Sequence, residues 1–149
     1  MKDASGVIRA WVYTTLNAAV SYSSVTVPVF SFAPRNQALP YILIGEHNMM
    51  GEAESTKDKW ITEHEILIEI YCCGSSTGAA SQGNDQSYVP ANTITDSVVQ
   101  LLRTRSAISL TGYNTIRRLV DSMVSDTILM DNNIIIYKSI SLRLLLEEN

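Results

Sequence analysis

The sequence predicts an α+β fold, in which an antiparallel sheet of about four or more strands packs against two α-helices, with extended loops between them. Apolar residues recur at helical spacing in two separate segments, whereas apolar and polar residues alternate over 60–73 and again over 134–146. Helices and strands that follow one another in this order are typical of a sheet covered by helices. The 149 residues suit one domain, so we expect a single domain over 1–149.

The first helix is predicted over 5–22. Its apolar side chains recur every three or four residues, as in a helix that buries one face. This stripe consists of Ile8, Val12, Leu16 and Ala19. Pro28 is poorly tolerated inside a helix, so the segment around 25–32 is predicted to be extended.

Two strands are predicted at 39–45 and 60–73. The first is a partly β-branched apolar run around a proline. The second alternates, and this pattern is typical of an antiparallel sheet that is covered on one side. Its apolar face holds Ile66, Ile68, Ile70 and Cys72, and its polar face holds Glu63, Glu65, Glu69 and Tyr71. The acid-rich segment 46–59 between the strands is predicted to be a flexible loop or a flared hairpin tip.

A second flexible loop is predicted over 74–92, because three glycines and four serines fall within 74–90. Thr93 is then expected to cap a helix that ends near Arg105, where arginines complement the helix dipole. Its apolar stripe consists of Ile94, Val98, Leu101 and Leu102.

The rest of the chain is predicted to be a long hairpin, with strands at 115–130 and 134–146 and a turn at 131–133. The returning strand alternates between two faces. One face holds Ile134, Ile136, Ile140, Leu142, Leu144 and Leu146, and the other holds Tyr137, Ser139, Ser141 and Arg143. Lys138 is the one charge on the apolar side, so we expect it near an edge of the sheet.

The charge balance argues against sequence-specific DNA binding. The chain carries 11 lysines and arginines against 15 acids, for a net charge of −4, whereas DNA-binding surfaces are normally basic.

The two cysteines indicate the redox environment. Cys72 and Cys73 are neighbours, and neighbours point to opposite faces of a strand, so no disulfide framework is expected and assembly in a reducing cytoplasm is favoured. Because no secretory signal and no run of about 20 apolar residues is apparent, we expect a soluble protein with no membrane association.

No residue pattern predicts catalysis. His64 lies between Glu63 and Glu65, but on a strand it points away from both, so we expect it at an edge or rim of the sheet and not in a metal site. His47 is expected to be solvated in its polar loop. The common nucleotide-binding and nucleophile motifs are absent from the sequence. We therefore expect no enzyme activity, no cofactor and no metal.

The polar faces of the two alternating strands form the candidate site. Such a face is either simply solvated or an intersubunit contact, in which tyrosine and arginine are favoured anchors. The candidate contact residues are Glu65, Glu69, Tyr71, Tyr137 and Arg143.

The strand Pro40-Tyr41-Ile42-Leu43-Ile44-Gly45, the strand Glu65-Ile66-Leu67-Ile68-Glu69-Ile70-Tyr71 and the order of elements resemble the tail terminator or tail-completion proteins of tailed phages. The resemblance covers most of the chain, although the loop at 74–90 departs from the family. It implies a virion protein at the head–tail junction, assembled in the host cytoplasm. The ring would be six-fold or a multiple of it.

The implied partners are portal or connector, neck and tail proteins, and DNA would pass through the lumen without sequence-specific binding. The resemblance leaves open whether the chain is a tail terminator or a neighbouring neck ring, and the loops at 46–59 and 74–90 would lie at ring-to-ring contacts. The alternative is a non-viral cytoplasmic adaptor module that binds proteins without catalysis.

Overall fold

The computed structural model describes residues 3–32, 35–52, 59–74, 88–104, 108–130 and 133–149. Five strands form one sheet in the order β3-β4-β5-β7-β6, and β1 and β2 form a separate two-stranded sheet. In the larger sheet β3 and β4 are parallel, and every other pair is antiparallel. The predicted α+β fold is confirmed. The elements are α1 (Ser5–Leu16), β1 (Ser21–Tyr22), β2 (Val25–Thr26), β3 (Val29–Phe30), β4 (Tyr41–Glu52), β5 (Ile61–Gly74), α2 (Val89–Arg103), β6 (Tyr113–Met130) and β7 (Asn133–Glu148).

The two helices and one face of the large sheet enclose the core. Each helix contributes most of its predicted apolar stripe, and the sheet contributes its isoleucines and leucines. Ala19, which was predicted to belong to the first stripe, follows the end of α1 and is exposed. Burying a side chain of this size stabilises the fold by about 1.5–3 kcal/mol relative to leaving it exposed. The core residues of the helices are Ile8, Val12, Leu16, Ala91, Ile94, Val98 and Leu102, and those at the centre of the sheet include Ile42, Ile44, Ile66, Ile68, Ile70, Ile136, Ile140 and Leu142.

The central pair of strands, β5 and β7, is in register without a break from Ile61↔Glu147 to Gly74↔Ile134. Both strands alternate with period two, and a slip by one residue would turn every core side chain out of the core. Ile68 therefore faces Ile140, and both side chains are fully buried. The hydrophobic pattern is what sets this register.

Several predicted boundaries are wrong. Of the two alternatives for 46–59, the loop is wrong for 46–52 and the hairpin fits, because β4 continues through these residues to pair with β5; residues 53–58 lie outside the described residues. α1 ends at Leu16 and not near 22. Residues 89–92 belong to α2, which begins four residues before Thr93 because Pro90 is well tolerated in a first helical turn. The remainder of the predicted second loop, 75–87, lies outside the described residues.

Two further expectations concern the terminal hairpin. Asn133 belongs to β7, and residues 131–132 of the predicted turn lie outside the described part of the chain. Lys138 was expected near an edge, but β7 is flanked by β5 and β6. Its ammonium group instead reaches the start of α2 and donates a hydrogen bond to Asn92 Oδ1. This bond gives the charge a polar partner although the side chain lies on the apolar side of the sheet. Neither described helix has the length and hydropathy that a membrane crossing requires.

Replacing Ile68 by alanine should lower the free energy of unfolding by about 2–5 kcal/mol, because the shorter side chain leaves a cavity beside Ile140 in the packed core between β5 and β7. Met123→Ala is the matched control, since Met123 is 62% exposed and its truncation should change stability by no more than about 0.5 kcal/mol. Urea unfolding followed by circular dichroism measures both. Equal losses in the two variants would contradict this assignment of the core.

Candidate functional site

The face of the large sheet opposite the helices, called here the outer face, carries all five candidate contact residues. β5 places Glu65, Glu69 and Tyr71 there, and β7 places Tyr137 and Arg143 beside them. Two cross-strand pairs are formed within the set, Glu65 opposite Arg143 and Tyr71 opposite Tyr137. All five side chains are half-buried.

Three tyrosines and one glutamate form a continuous cluster across β4, β5 and β7. Tyr137 Oη donates a hydrogen bond of 2.7 Å to Glu69 Oε1, and Tyr71 Oη donates a longer one of 3.4 Å to the same oxygen. The ring of Tyr71 stacks on Tyr41 with centroids 4.9 Å apart and lies 5.1 Å from the ring of Tyr137. The Glu69 carboxylate therefore holds two of the aromatic side chains in place.

The cluster keeps its phenols protonated. Burial raises the pKa of Tyr71, and the negative charge of Glu69 raises it further. Burial also raises the pKa of Tyr137, with the hydrogen bond to Glu69 as the next cause, and the pKa of Tyr41, with the charge of Glu69 next. Near neutral pH these groups are donors and apolar surface, which suits a contact surface better than acid–base chemistry.

Glu65 and Arg143 stand opposite each other but are held by different partners. Ser141 Oγ donates a hydrogen bond to Glu65 Oε1. Arg143 Nη2 lies 3.3 Å from Asp121 Oδ2 on β6. The Nε of Arg143 is buried and has no hydrogen-bond partner among the described residues. This half of the outer face thus presents both signs of charge.

A cavity of about 600 Å³ opens beside the cluster, lined by Leu43, Leu67, Glu69 and Tyr137 among others. Gly45 forms part of its wall. A Cβ at this position would come within 2.7 Å of Glu69 Oε2, so glycine leaves the room that the carboxylate occupies.

Arg9 of α1 closes the neighbouring edge of the sheet. Its guanidinium donates hydrogen bonds of 2.6 Å to the Gly45 carbonyl, 2.7 Å to the Ile44 carbonyl and 3.0 Å to the Ser31 carbonyl. β3 pairs with β4 only at Ile42 and Leu43, which leaves the Ile44 and Gly45 carbonyls available to Arg9. The arginine therefore takes the place of a neighbouring strand over this part of β4.

The expectations for the two histidines are wrong. His64 is 1% exposed and not at a rim, and His47 is half-buried in β4 and not solvated in a loop. His47 Nε2 lies 3.1 Å from His64 Nδ1 with the rings stacked, and His64 Nε2 lies 2.8 Å from Thr62 Oγ1. The sequence offered no signal for this pair, because the extension of β4 that places His47 beside β5 has a polar, loop-like composition.

Burial is also the main influence on the protonation of this pair. It lowers the pKa of His64 to about 4, and the neighbouring His47 lowers it as well, while Asp3 opposes both. Burial likewise lowers the pKa of His47, which Asp3 opposes and Arg9 reinforces. Within the ranges that the structure describes, no group of three or more histidine, cysteine or acidic side chains is arranged to hold a metal ion. The pair is therefore neutral at pH 7 and part of the packing between β4 and β5.

Cys72 lies in the core, on the apolar face predicted for its strand, and Cys73 is exposed. Burial raises the pKa of Cys72 to about 11, so this thiol is a core side chain and not a thiolate.

Comparisons with known proteins identify the fold. No protein-family model matches the sequence, and no curated protein matches it either. Among solved structures, the chain is similar to a chain in the virion of a native gene transfer agent (GTA) particle. The TM-score is 0.70 over 99% of both chains, at 15% sequence identity. The two chains share their fold from end to end.

Protonation of His64 should make the protein less stable in mild acid. Its folded-state pKa of about 4 lies below the ordinary value of 6.5, so between these values the unfolded state binds a proton that the folded state does not. The free energy of unfolding should therefore fall as the pH falls from about 6.5 towards 4. In His64→Gln, urea unfolding at pH 7 and pH 5 should show a smaller loss than in the wild type. An unchanged loss would assign the acid sensitivity to other groups.

Removing the charge of Glu69 should allow the clustered tyrosines to ionise at lower pH. In Glu69→Gln the carboxylate no longer disfavours the phenolate of Tyr71 or Tyr137, so their absorbance titration at alkaline pH should shift downwards. Glu65→Gln is the matched control, because Glu65 accepts its hydrogen bond from Ser141 and not from a tyrosine of the cluster. Identical titrations of the two variants would contradict the cluster geometry.

Proposed function

We propose that this chain is a structural protein of a phage-like virion that forms a ring at the head–tail interface, as a tail terminator or a neighbouring neck ring. The observation that carries the proposal is its likeness, over 99% of both chains, to a chain of a gene transfer agent virion. The predicted order of helix, two strands, helix and two strands corresponds to α1, β4, β5, α2, β6 and β7, and the structure adds β1, β2 and β3 between α1 and β4. The protein acts by shape and contact and has no catalytic role.

The outer face supports a role in assembly. It combines aromatic, aliphatic and charged side chains on a rigid sheet, a composition that occurs in protein–protein contacts with tyrosine and arginine anchors. The tyrosine rings are already held in place by Glu69, so little side-chain freedom is lost when a partner covers them. We assign Glu65, Glu69, Tyr71, Tyr137 and Arg143 to contacts with other subunits of the particle.

The charge supports a channel that does not retain DNA. A chain with 15 acids against 11 basic residues repels phosphates more than it attracts them, which suits a lumen through which DNA slides. The proposed assembly is a six-fold ring, or a multiple of six, docked onto portal or connector, neck and tail proteins. It forms in the host cytoplasm and stays in the virion.

Gold-labelled antibody on purified particles, viewed by electron microscopy, tests the location. Label is expected at the neck or the top of the tail, and particles made without the gene serve as the control. Label absent from particles, with the protein present only in the infected-cell lysate, would overturn the proposal and favour a cytoplasmic adaptor.

Truncating the central anchor of the outer face should reduce particle assembly. Tyr137→Ala removes a ring that a partner would cover, and loss of such an anchor costs about 2 kcal/mol or more. In complementation of a gene deletion, the yield of infectious particles should fall at least about tenfold. Tyr13→Ala on α1 is the control, since Tyr13 is 41% exposed on the helical side of the molecule, and it should assemble normally. Equal yields from two variants that fold equally well would remove the outer face from the assembly contacts.

A further inference from the structure

Among the residues that the structure describes, the long strand β6 is an edge of the sheet. It spans 18 residues, from Tyr113 to Met130, and among the named strands it pairs only with β7. Large apolar side chains are exposed along it, which natural proteins usually avoid on an unpaired edge. They are Ile116, Leu119, Met123, Val124 and Ile128, with exposures of 41–62%.

Within the described ranges, the opposite edge of the sheet is covered over one half and uncovered over the other. β3 and Arg9 cover β4 from Ile42 to Gly45. From Glu46 onwards β4 pairs only with β5 among the described strands. In this open half Met49 and Met50 are 44% and 49% exposed, and methionine packs adaptably at contacts between proteins.

We propose that copies of this chain join edge to edge, with β6 of one copy paired to the open half of β4 in the next. This inference rests on the proposed function, because it names the contact that would close the ring. The two edges differ from each other, so the contact is heterologous, as a closed ring requires.

The directions of the two strands and the cross-strand rows in which their residues lie both fit this pairing. β4 runs antiparallel to β6, since each successive pair from β4 through β5 and β7 to β6 is antiparallel. A neighbour related by rotation about an axis along the strands would therefore present β4 antiparallel to β6. Asn48 lies in the same cross-strand row as Leu119, through Glu65 and Arg143, so the two edges meet at one height.

The bulges limit the pairing to a short stretch. β4 is regular only from His47 to Met49 between its two irregularities, and β6 is regular from Arg117 to Val120 between its own. These two stretches occupy the same level of the sheet. Bulges elsewhere on both edges disfavour longer strand addition, which would otherwise promote aggregation.

Two arginines argue against the pairing of β6 with a second β6. Arg117, whose side chain is 59% exposed, and Arg118 lie within the regular stretch of β6. Antiparallel pairing of this stretch with itself would bring the arginines of both copies close together, and like charges across a contact disfavour association.

Cysteine crosslinking tests the contact directly. In a Cys73→Ser background, which removes the exposed thiol, Asn48→Cys and Leu119→Cys are combined in one chain and treated with a bismaleimide. The double variant should give a ladder of covalent oligomers that extends beyond the dimer. A mixture of the two single variants should give covalent dimers but no larger product, and each single variant alone should give no covalent product. Tyr13→Cys with Leu119→Cys is the matched control and should give no ladder.

Electron microscopy of the same samples separates the two proposals. Rings without crosslinking would overturn the edge-to-edge contact and leave the proposed function standing. A dimer from Leu119→Cys alone would show a β6–β6 contact and would also overturn the inference. A protein that forms neither rings nor crosslinks at high concentration, and does not label particles, would overturn both proposals.

Discussion

The unbroken register between β5 and β7 is the constraint on which the rest of the structure depends. It places isoleucine opposite isoleucine or leucine at the centre of the sheet, for example Ile68 against Ile140 and Ile66 against Leu142. Both strands have one apolar and one polar face, so the helices can cover only one side. The same alternation of apolar and polar side chains therefore produces both the core and the outer face, and a shift in register would change both.

On the outer face, polar groups order a surface that helices leave uncovered. One carboxylate oxygen of Glu69 accepts hydrogen bonds from two tyrosines, and the adjacent strand provides the room for this carboxylate by having a glycine at position 45. A half-buried carboxylate is normally costly, and the phenol donors offset much of that cost. The result is a rigid aromatic row with charge at its border, a combination suited to contact with another protein surface.

The two edges of the sheet differ in how far other parts of the described structure cover them. Arg9 and β3 bond to the backbone of β4 over Ile42 to Gly45, whereas β6 and the far half of β4 pair on one side only among the described strands and have exposed apolar side chains. A strand edge that stays unpaired is a liability. The edge-to-edge contact that we propose would pair both edges, since each copy carries one of each kind.

The sequence by itself determined the class of fold, the faces of both central strands and the residues of the outer face, because periods of 2 and 3.6 are local properties that survive without knowledge of contacts. Only the tertiary structure decided the rest. The extension of β4 through a polar segment, the burial of His47 against His64 and the bonds from Arg9 to carbonyls 22 to 36 residues away all arise from strand pairing and helix docking. Such long-range partners satisfy polar groups that local composition assigns to solvent, so no pattern within a short window of sequence could reveal them.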